Sequence, residues 1–331
     1  MSQPFRLNKE GLINRNKKIS FTFNGKKLFG YEGDTIASAL IANGIHLVGR
    51  SFKYHRPRGF FGAGVEEPNA KLQVEFNGHS EPNVNATEME LVEGLSATSQ
   101  NCWPSVNFDI GAINNFLKMF FPAGFYYKTF MWPKSFWYKI YEPFIRKAAG
   151  LGVASIEKDK ERYEHKFEYC DLLVTGSGPS GLASAYAAAK NGAKVILAED
   201  KPRFGGTLLT DDVSIDNLSG KDWAEKIITE LKSMPNVTVK NRSQVFGYYD
   251  HNMLVMFERV SDHLEKKSKF TPRQRLWYIR AKETILSTGS IERPIVFGNN
   301  DTPGIFLSAA AKEYMKVYGV LVGKKPLIFT N

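Results

Sequence analysis

The run Gly176-Ser177-Gly178-Pro179-Ser180-Gly181 constrains this 331-residue chain more than any other stretch. A G-x-G-x-x-G match alone is weak. Here it follows a short apolar strand over 171–175 and opens an Ala-rich helix over 180–191 that Gly192 stops. A second buried strand over 194–199 ends on Glu199, 18 residues beyond Gly181. That strand–turn–helix–strand order predicts a dinucleotide-binding βαβ unit. Gly176 makes the tight turn, Gly178 lets a pyrophosphate approach the backbone, and Gly181 lets the helix pack close to the strand. With Pro179 and Ser180, the helix start offers unpaired N–H groups and a positive dipole end to phosphates. Glu199, with Asp200 beside it, can accept hydrogen bonds from an adenosine ribose. Its charge repels a 2′-phosphate, so NAD or FAD is favoured over NADP. Gly205-Gly206-Thr207 follows the second strand, and residues 285–290 set a short strand against the small residues Ser287, Thr288 and Gly289. Backbone can approach a nucleotide at both places.

The fingerprint occupies only the second half, and the length predicts two domains. With 43% hydrophobic and 24% charged residues, disorder, collagen and coiled coil are excluded. Two cysteines, Cys102 and Cys170, cannot form a disulfide framework, a Cys-ligated zinc site or a four-Cys iron–sulfur cluster, and they fit a reducing cytoplasm. The six histidines show no ligand spacing, so no metal site is expected. The first 60 residues hold 11 Lys/Arg against 3 Asp/Glu. A basic start can meet nucleic acid, or it can face acidic cofactors and an acidic subunit. No nucleic-acid motif accompanies it, and the second reading is preferred. The N-terminus has no apolar h-region, and no run approaches the ~20 apolar residues that span a membrane.

Residues 18–31 read as a β-hairpin turning at Asn24-Gly25. Asp34 or Thr35 can cap a helix reaching about Asn43, with Gly44 ending it, and 72–76 alternates as a later strand. Hairpin, helix and strand outline a small β-grasp. Between Phe116 and Phe144 lie 13 aromatic residues in 29 positions, broken by Pro122, Pro133 and Pro143. The prolines forbid one long helix, which predicts a connector of short helical pieces. It packs either between this chain's domains or against a partner subunit, where aromatic side chains are enriched. Residues 156–169 are charged and read as an exposed linker or helix.

The glycine loop, Gly205-Gly206-Thr207 and the late Thr-Gly strand together resemble the flavoprotein disulfide-reductase and amine-oxidoreductase superfamily. Over nearly the whole chain, SFKYHRPRGFFGAGVEEPNA (51–70), AGFYYKTFMWPKSFWYKIYEPFIRKAAGLG (123–152) and VFGYYDHN (245–252) look like the alpha subunit of heterotetrameric sarcosine oxidase. Such alpha subunits are much longer, so the resemblance implies an N-terminal fragment whose Rossmann domain is incomplete at its C-terminus.

The resemblance also implies a function. Such complexes oxidatively demethylate sarcosine to glycine, form hydrogen peroxide, and pass the methyl carbon to tetrahydrofolate or release it as formaldehyde. Beta, gamma and delta subunits would be the partners, with the substrate handled by beta. By resemblance the cofactor of this chain is NAD ahead of FAD, with FMN at the interface with beta. Its contacts would be the glycine loop with Ser180, then Glu199, Asp200, Gly206, Thr207, Val245, Phe246, Thr288 and Gly289. Some relatives carry four cluster cysteines in the β-grasp. The corresponding run, 58–67, has none, so no iron–sulfur cluster is expected. Arg56 and Arg58 could meet a flavin phosphate or serve packing.

The resulting expectation is an α/β chain with a cluster-free, ferredoxin-like β-grasp over 1–100. An aromatic connector follows over 101–168, then a Rossmann-type FAD/NAD-binding domain over 169–331. An opine or other secondary-amine dehydrogenase subunit and a non-catalytic scaffold with a structural dinucleotide are the competing functions. No catalytic acid/base pair is evident.

Overall fold

A computed structural model describes residues 2–330 except 122, 123, 125–127 and 129. It divides into two compact units. Residues 1–159 with 292–331 form the first, and 160–291 form the second.

In the first unit, β1 (Asn14–Phe23) and β2 (Lys26–Glu32) form the expected hairpin. Asn24 and Gly25 both have positive φ at its turn, the conformation an Asn-Gly pair supplies. Helix α1 (Ile36–Ala42) is buried along its whole length. Thr35, not Asp34, is its cap: Thr35 Oγ1 accepts from the Ser38 N–H, and Ser38 Oγ accepts from the Thr35 N–H. Asp34 is buried beside it and takes both arms of the Arg6 guanidinium, at 3.0 and 2.6 Å. After the short ribbon β3 (Gly49–Arg50) and β4 (Pro57–Arg58) come β5 (Lys71–Phe76), β6 (His79–Asn85) and β7 (Ser96–Ser99). They complete a sheet of order β2-β1-β7-β5-β6 in which β1 and β7 are parallel. This is the β-grasp layout.

The loop between β4 and β5 is organised by carboxylates. Glu67, 1% exposed, accepts the N–H groups of Phe61, Gly62, Asn69 and Ala70 at 2.6–3.1 Å, and Glu66 accepts those of Ala63 and Gly64. Burial pushes the Glu67 carboxyl up, against the pull of those four donors.

The connector consists of short helical turns at Ile110–Asn115, Lys118–Phe120, Lys134–Phe136 and Trp137–Tyr141, then helix α2 (Glu142–Ala149). Phe116, Trp132, Tyr138 and Phe144 are 83%, 84%, 83% and 70% exposed. Pro122, Phe125, Tyr126 and Tyr127 lie outside the described residues.

Residues 292–331, which the sequence pattern joins to the Rossmann domain, close the first unit instead. Leu7 N–H donates to Gly319 O, Leu12 N–H to Val317 O, and Leu321 N–H to Phe5 O. Buried Tyr314 donates to Gly62 O at 3.0 Å. Arg56 grips Asp301 at 2.8 and 2.7 Å, and Arg58 donates to Asp301 O at 2.8 Å and to its carboxylate. These arginines therefore pack the unit, and they hold the Asp301 carboxyl well below the usual carboxylate range. A depressed carboxyl adds stability above its unfolded value, near 3.8, and loses it as pH falls further. Asp301→Asn should accordingly flatten the acid limb of a thermal-unfolding profile below about pH 4. An unchanged acid limb would show that this cluster adds nothing.

The second unit is a six-stranded sheet of order β12-β9-β8-β15-β14-β13. Its strands are β8 (Tyr163–Thr175), β9 (Val195–Ala198), β12 (Val237–Lys240), β13 (Ser243–Tyr249), β14 (Met253–Arg259) and β15 (Gln274–Leu286). A separate two-stranded ribbon pairs β10 (Ser214–Ile215) with β11 (Leu218–Ser219). The first four in sheet order run parallel, and β14 and β13 are antiparallel. Helices α3 (Pro179–Lys190) and α4 (Gly220–Ser233) bury Leu182, Ala185, Trp223 and Leu231 against Val174, Val195 and Leu197. Cys170, Leu173, Ile196, Leu254, Met256 and Ile279 form the core of the other face. Burial pushes the Cys170 thiol up to about 12, so it is an inert core group.

Strand β8 begins well before the expected residue 171. Its charged first half is strand because neighbours supply the counter-ions: Arg275 on β15 pairs with Glu164 at 3.0 Å, and Lys194 with Glu168 at 2.8 Å.

Candidate dinucleotide site

The site lies where the parallel strands of the second unit end. Thr175 closes β8 and Gly176 turns the chain at φ +97°. A Cβ on Gly176 would stand 2.2 Å from Ser287 O, and one on Gly181 2.0 Å from Gly176 O. Neither position tolerates a side chain, because the obstacle is backbone. Gly178 differs: a Cβ there would meet nothing within 4 Å. Its open face fits a ligand approaching the start of α3, where Pro179 stands in the first turn and no side chain caps the N–H groups.

Glu199 is 6% exposed, just beyond β9, and faces this loop. Its Oε2 accepts from the Ser177 N–H at 2.9 Å and from Ser177 Oγ at 2.5 Å. Its Oε1 accepts from the Lys201 N–H at 3.1 Å. Burial first, and then the neighbouring Asp200 carboxyl, push Glu199 up to about 7. Ser177 also receives the Gly205 N–H on both its carbonyl and its hydroxyl, at 3.1 Å each. Gly206, at φ +53°, lies against Gly178, where a Cβ would come within 2.9 Å of Gly178 Cα.

The geometry thus gathers Gly176, Ser177, Gly178, Gly181, Glu199 and Gly206, with Pro179 and Ser180 opening α3 beside them. Asp200 adjoins Glu199, half-buried. Thr207 is exposed in the turn after Gly206, and Thr288 and Gly289 are exposed just past Ser287. Val245 reaches the same end of the sheet through Ser243, whose N–H donates to Glu199 O at 2.8 Å. Phe246 follows, 56% exposed, outside the group that Ser177 ties together. Gly205 and Ser287 lie in the two segments the sequence marks for a backbone approach, and Ser243 is a further member that spacing does not single out. Ser243 acts through its backbone N–H, which carries no sequence mark.

A broad open groove of about 1420 Å³ lies in the first unit, lined among others by Gln73, Asn101, Cys102 and Asp109. It is remote in sequence from the glycine loop, which is identified by its backbone geometry and not by concavity. His55 beside it is tied to Asp109 at 2.6 Å. Among the described residues no group of three or more His, Cys, Asp or Glu could hold a metal ion.

Comparison with known proteins follows the same division. Residues 16–102 match the 2Fe-2S iron-sulfur cluster binding domain family, and residues 171–255 match the FAD dependent oxidoreductase family. The chain is 53% identical, over 99% of its length, to the sarcosine oxidase subunit alpha of Rhizobium meliloti (strain 1021), covering 33% of that protein. It is 34% identical, over its full length, to the subunit alpha of Corynebacterium sp. (strain U-96), covering 30% of it. The chain is a homologue of sarcosine oxidase alpha subunits. It spans about a third of the length of the curated relatives it matches. The crystal structure of L-proline dehydrogenase from P. horikoshii aligns at a TM-score of 0.62 with 21% identity, over 97% of this chain and 50% of that one. That likeness is of fold.

These matches correct the cofactor expectations. The resemblance implies NAD ahead of FAD, with FMN at a subunit interface, and the missing cysteines imply no iron–sulfur cluster. The match over 171–255 spans the glycine loop, Glu199 and Val245 and points to FAD. An acidic residue that accepts from a ribose serves both dinucleotides equally, so Glu199 could not rank them. The match over 16–102 is to a cluster-binding family and points to a β-grasp of that kind, which the cysteine count alone did not reveal. Open Gly178, the free start of α3 and Glu199 fit the pyrophosphate and ribose of FAD. Cys102 is the one cysteine in the matched N-terminal span, so the four thiolates of a [2Fe–2S] centre are not present there.

Proposed function

We propose that this chain holds FAD at the glycine loop as part of a multi-subunit, sarcosine-oxidising complex. The observation that carries this reading is the meeting of Gly178, the start of α3, Gly206 and Glu199 at one end of the parallel sheet. The loop and helix start would seat the pyrophosphate, and Glu199 would accept from the adenosine ribose. When bound, the flavin supplies two-electron redox chemistry. The chain's own part is to orient the nucleotide and exclude water from its adenosine end.

Sarcosine would be oxidised to glycine on the beta subunit, with peroxide formed and the methyl carbon passed to tetrahydrofolate or released as formaldehyde. Beta, gamma and delta subunits would be its partners, and the cytoplasm its compartment. The exposed rings of Phe116, Trp132, Tyr138 and Phe144 support a partner surface on the connector, since a monomer seldom exposes apolar patches above roughly 300–600 Å². No described helix is long and apolar enough to cross a membrane.

Mass spectrometry of the nucleotide released on denaturing the purified protein tests the cofactor reading. FAD is the expected result, and NAD as the sole nucleotide would overturn it. The chain alone should give no sarcosine-dependent peroxide, because in this reading the amine is bound and oxidised on the beta subunit. Turnover without partner subunits would refute the subunit reading.

A further inference from the structure

Ser177 stands between the first two glycines of the loop and is fully buried. The turn itself needs only the backbone freedom of Gly176 and makes no demand for a hydroxyl here. Yet Ser177 Oγ donates to Glu199 and accepts from Gly205, joining three segments that are distant in sequence. A carboxylate has about four acceptor positions on its two oxygens. Ser177 fills those on Oε2 with its N–H and hydroxyl, and the Lys201 N–H takes one on Oε1. The position left on Oε1 is the acceptor the carboxylate has to offer, with the Asp200 carboxyl as its neighbour.

Resting on the dinucleotide reading above, we propose that Ser177 is a positioning residue whose hydroxyl aims the Glu199 carboxylate at the adenosine ribose and sets the pH range in which the nucleotide is held. A donor to the ionised form favours ionisation. The Ser177 hydroxyl and the Lys201 N–H pull Glu199 down, against burial and Asp200. The charged groups around it are Asp200 and Lys201 beyond β9, Arg203 toward the Gly-Gly turn, and Lys240 and Arg242 at the end of β12. Arg259 on β14 lies beside Asp200. Lys240 is engaged by Glu258 at 3.3 Å, and Arg259 Nη2 donates to Asp200 O at 2.7 Å. The glycine loop carries no charged side chain, and Ser177 is its hydrogen-bond donor to the carboxylate.

The test measures FAD retention from about pH 5.5 to about pH 9 in the wild type, Ser177→Ala, Glu199→Gln and the double variant. Wild type should release flavin as pH falls through the titration of Glu199. Ser177→Ala should release it at a pH higher by about 0.5–1 unit, a roughly 3–10-fold change in proton affinity. Glu199→Gln should show no pH step, with or without Ser177. A Ser177→Ala loss by one constant factor at every pH would mean a merely structural role and would overturn the proposal.

If no variant binds FAD, the dinucleotide reading fails separately. The coupling is then read from thermal unfolding of the nucleotide-free protein. A carboxyl raised in the folded state loses its contribution as pH climbs from its unfolded value, 4.5, through about 7. Ser177→Ala should extend that loss to higher pH, and a profile superimposable on wild type would overturn the proposal.

Discussion

Gly181→Ala is expected to abolish flavin retention and to destabilise the second unit, whereas Gly178→Ala should abolish retention alone. The two glycines differ in what surrounds them. A methyl at 181 would lie 2.0 Å from a carbonyl oxygen of the loop, so α3 must move away from β8 to admit it. Overpacking with backbone as the obstacle costs about 1–3 kcal/mol or more, and the loop geometry is lost with it. A methyl at 178 meets nothing in the protein and would instead stand where a pyrophosphate approaches. Flavin content after gel filtration and the melting temperature of each variant separate the two effects. Normal flavin content in Gly178→Ala would remove the loop from the nucleotide site.

The second large effect belongs to the first unit. Truncating Glu67 to alanine leaves four backbone N–H groups without their acceptor in a place water scarcely reaches. A buried donor left unpaired costs about 1–3 kcal/mol, and partial relaxation of the loop brings the total to about 3–5 kcal/mol. At roughly 2–4 °C per kcal/mol for a unit of this size, melting should fall by about 10 °C. Glu67→Gln keeps one oxygen and should lose roughly half as much. A melting point for Glu67→Ala within about 2 °C of wild type would show that the loop is held by other means.

Local chemistry made much of this legible in the sequence. Asn24-Gly25 marked its hairpin because both residues must take positive φ, and the glycine loop was visible because only glycine survives there. Interactions between distant residues were not legible. Asp34 and Thr35 looked equivalent as caps until Arg6 claimed Asp34. The first half of β8 read as linker because its partners Arg275 and Lys194 are far along the chain. The preference for NAD over FAD came from the resemblance and not from the residues, because ribose recognition by Glu199 is common to both dinucleotides. In the candidate site, the residue types were apparent, but the Ser177–Glu199–Gly205 connection was not, since nothing in a serine's position says which oxygen it will face.

The first unit is closed by residues on both sides of the second. Arg6 donates to Tyr318 O at 2.7 Å across 312 positions, and Leu7 and Leu12 bond to the same late segment. On the ribosome, the late residues are added some tens of seconds after Asp34, at ~5–20 residues per second. The second unit, continuous from 160 to 291, is by then complete and able to fold. Synthesis order and folding order are therefore reversed: the β-grasp is made first and finished last. Until then, Arg6 lacks its Tyr318 acceptor, Gly62 its Tyr314 donor, and Arg56 and Arg58 the Asp301 carboxylate that they grip.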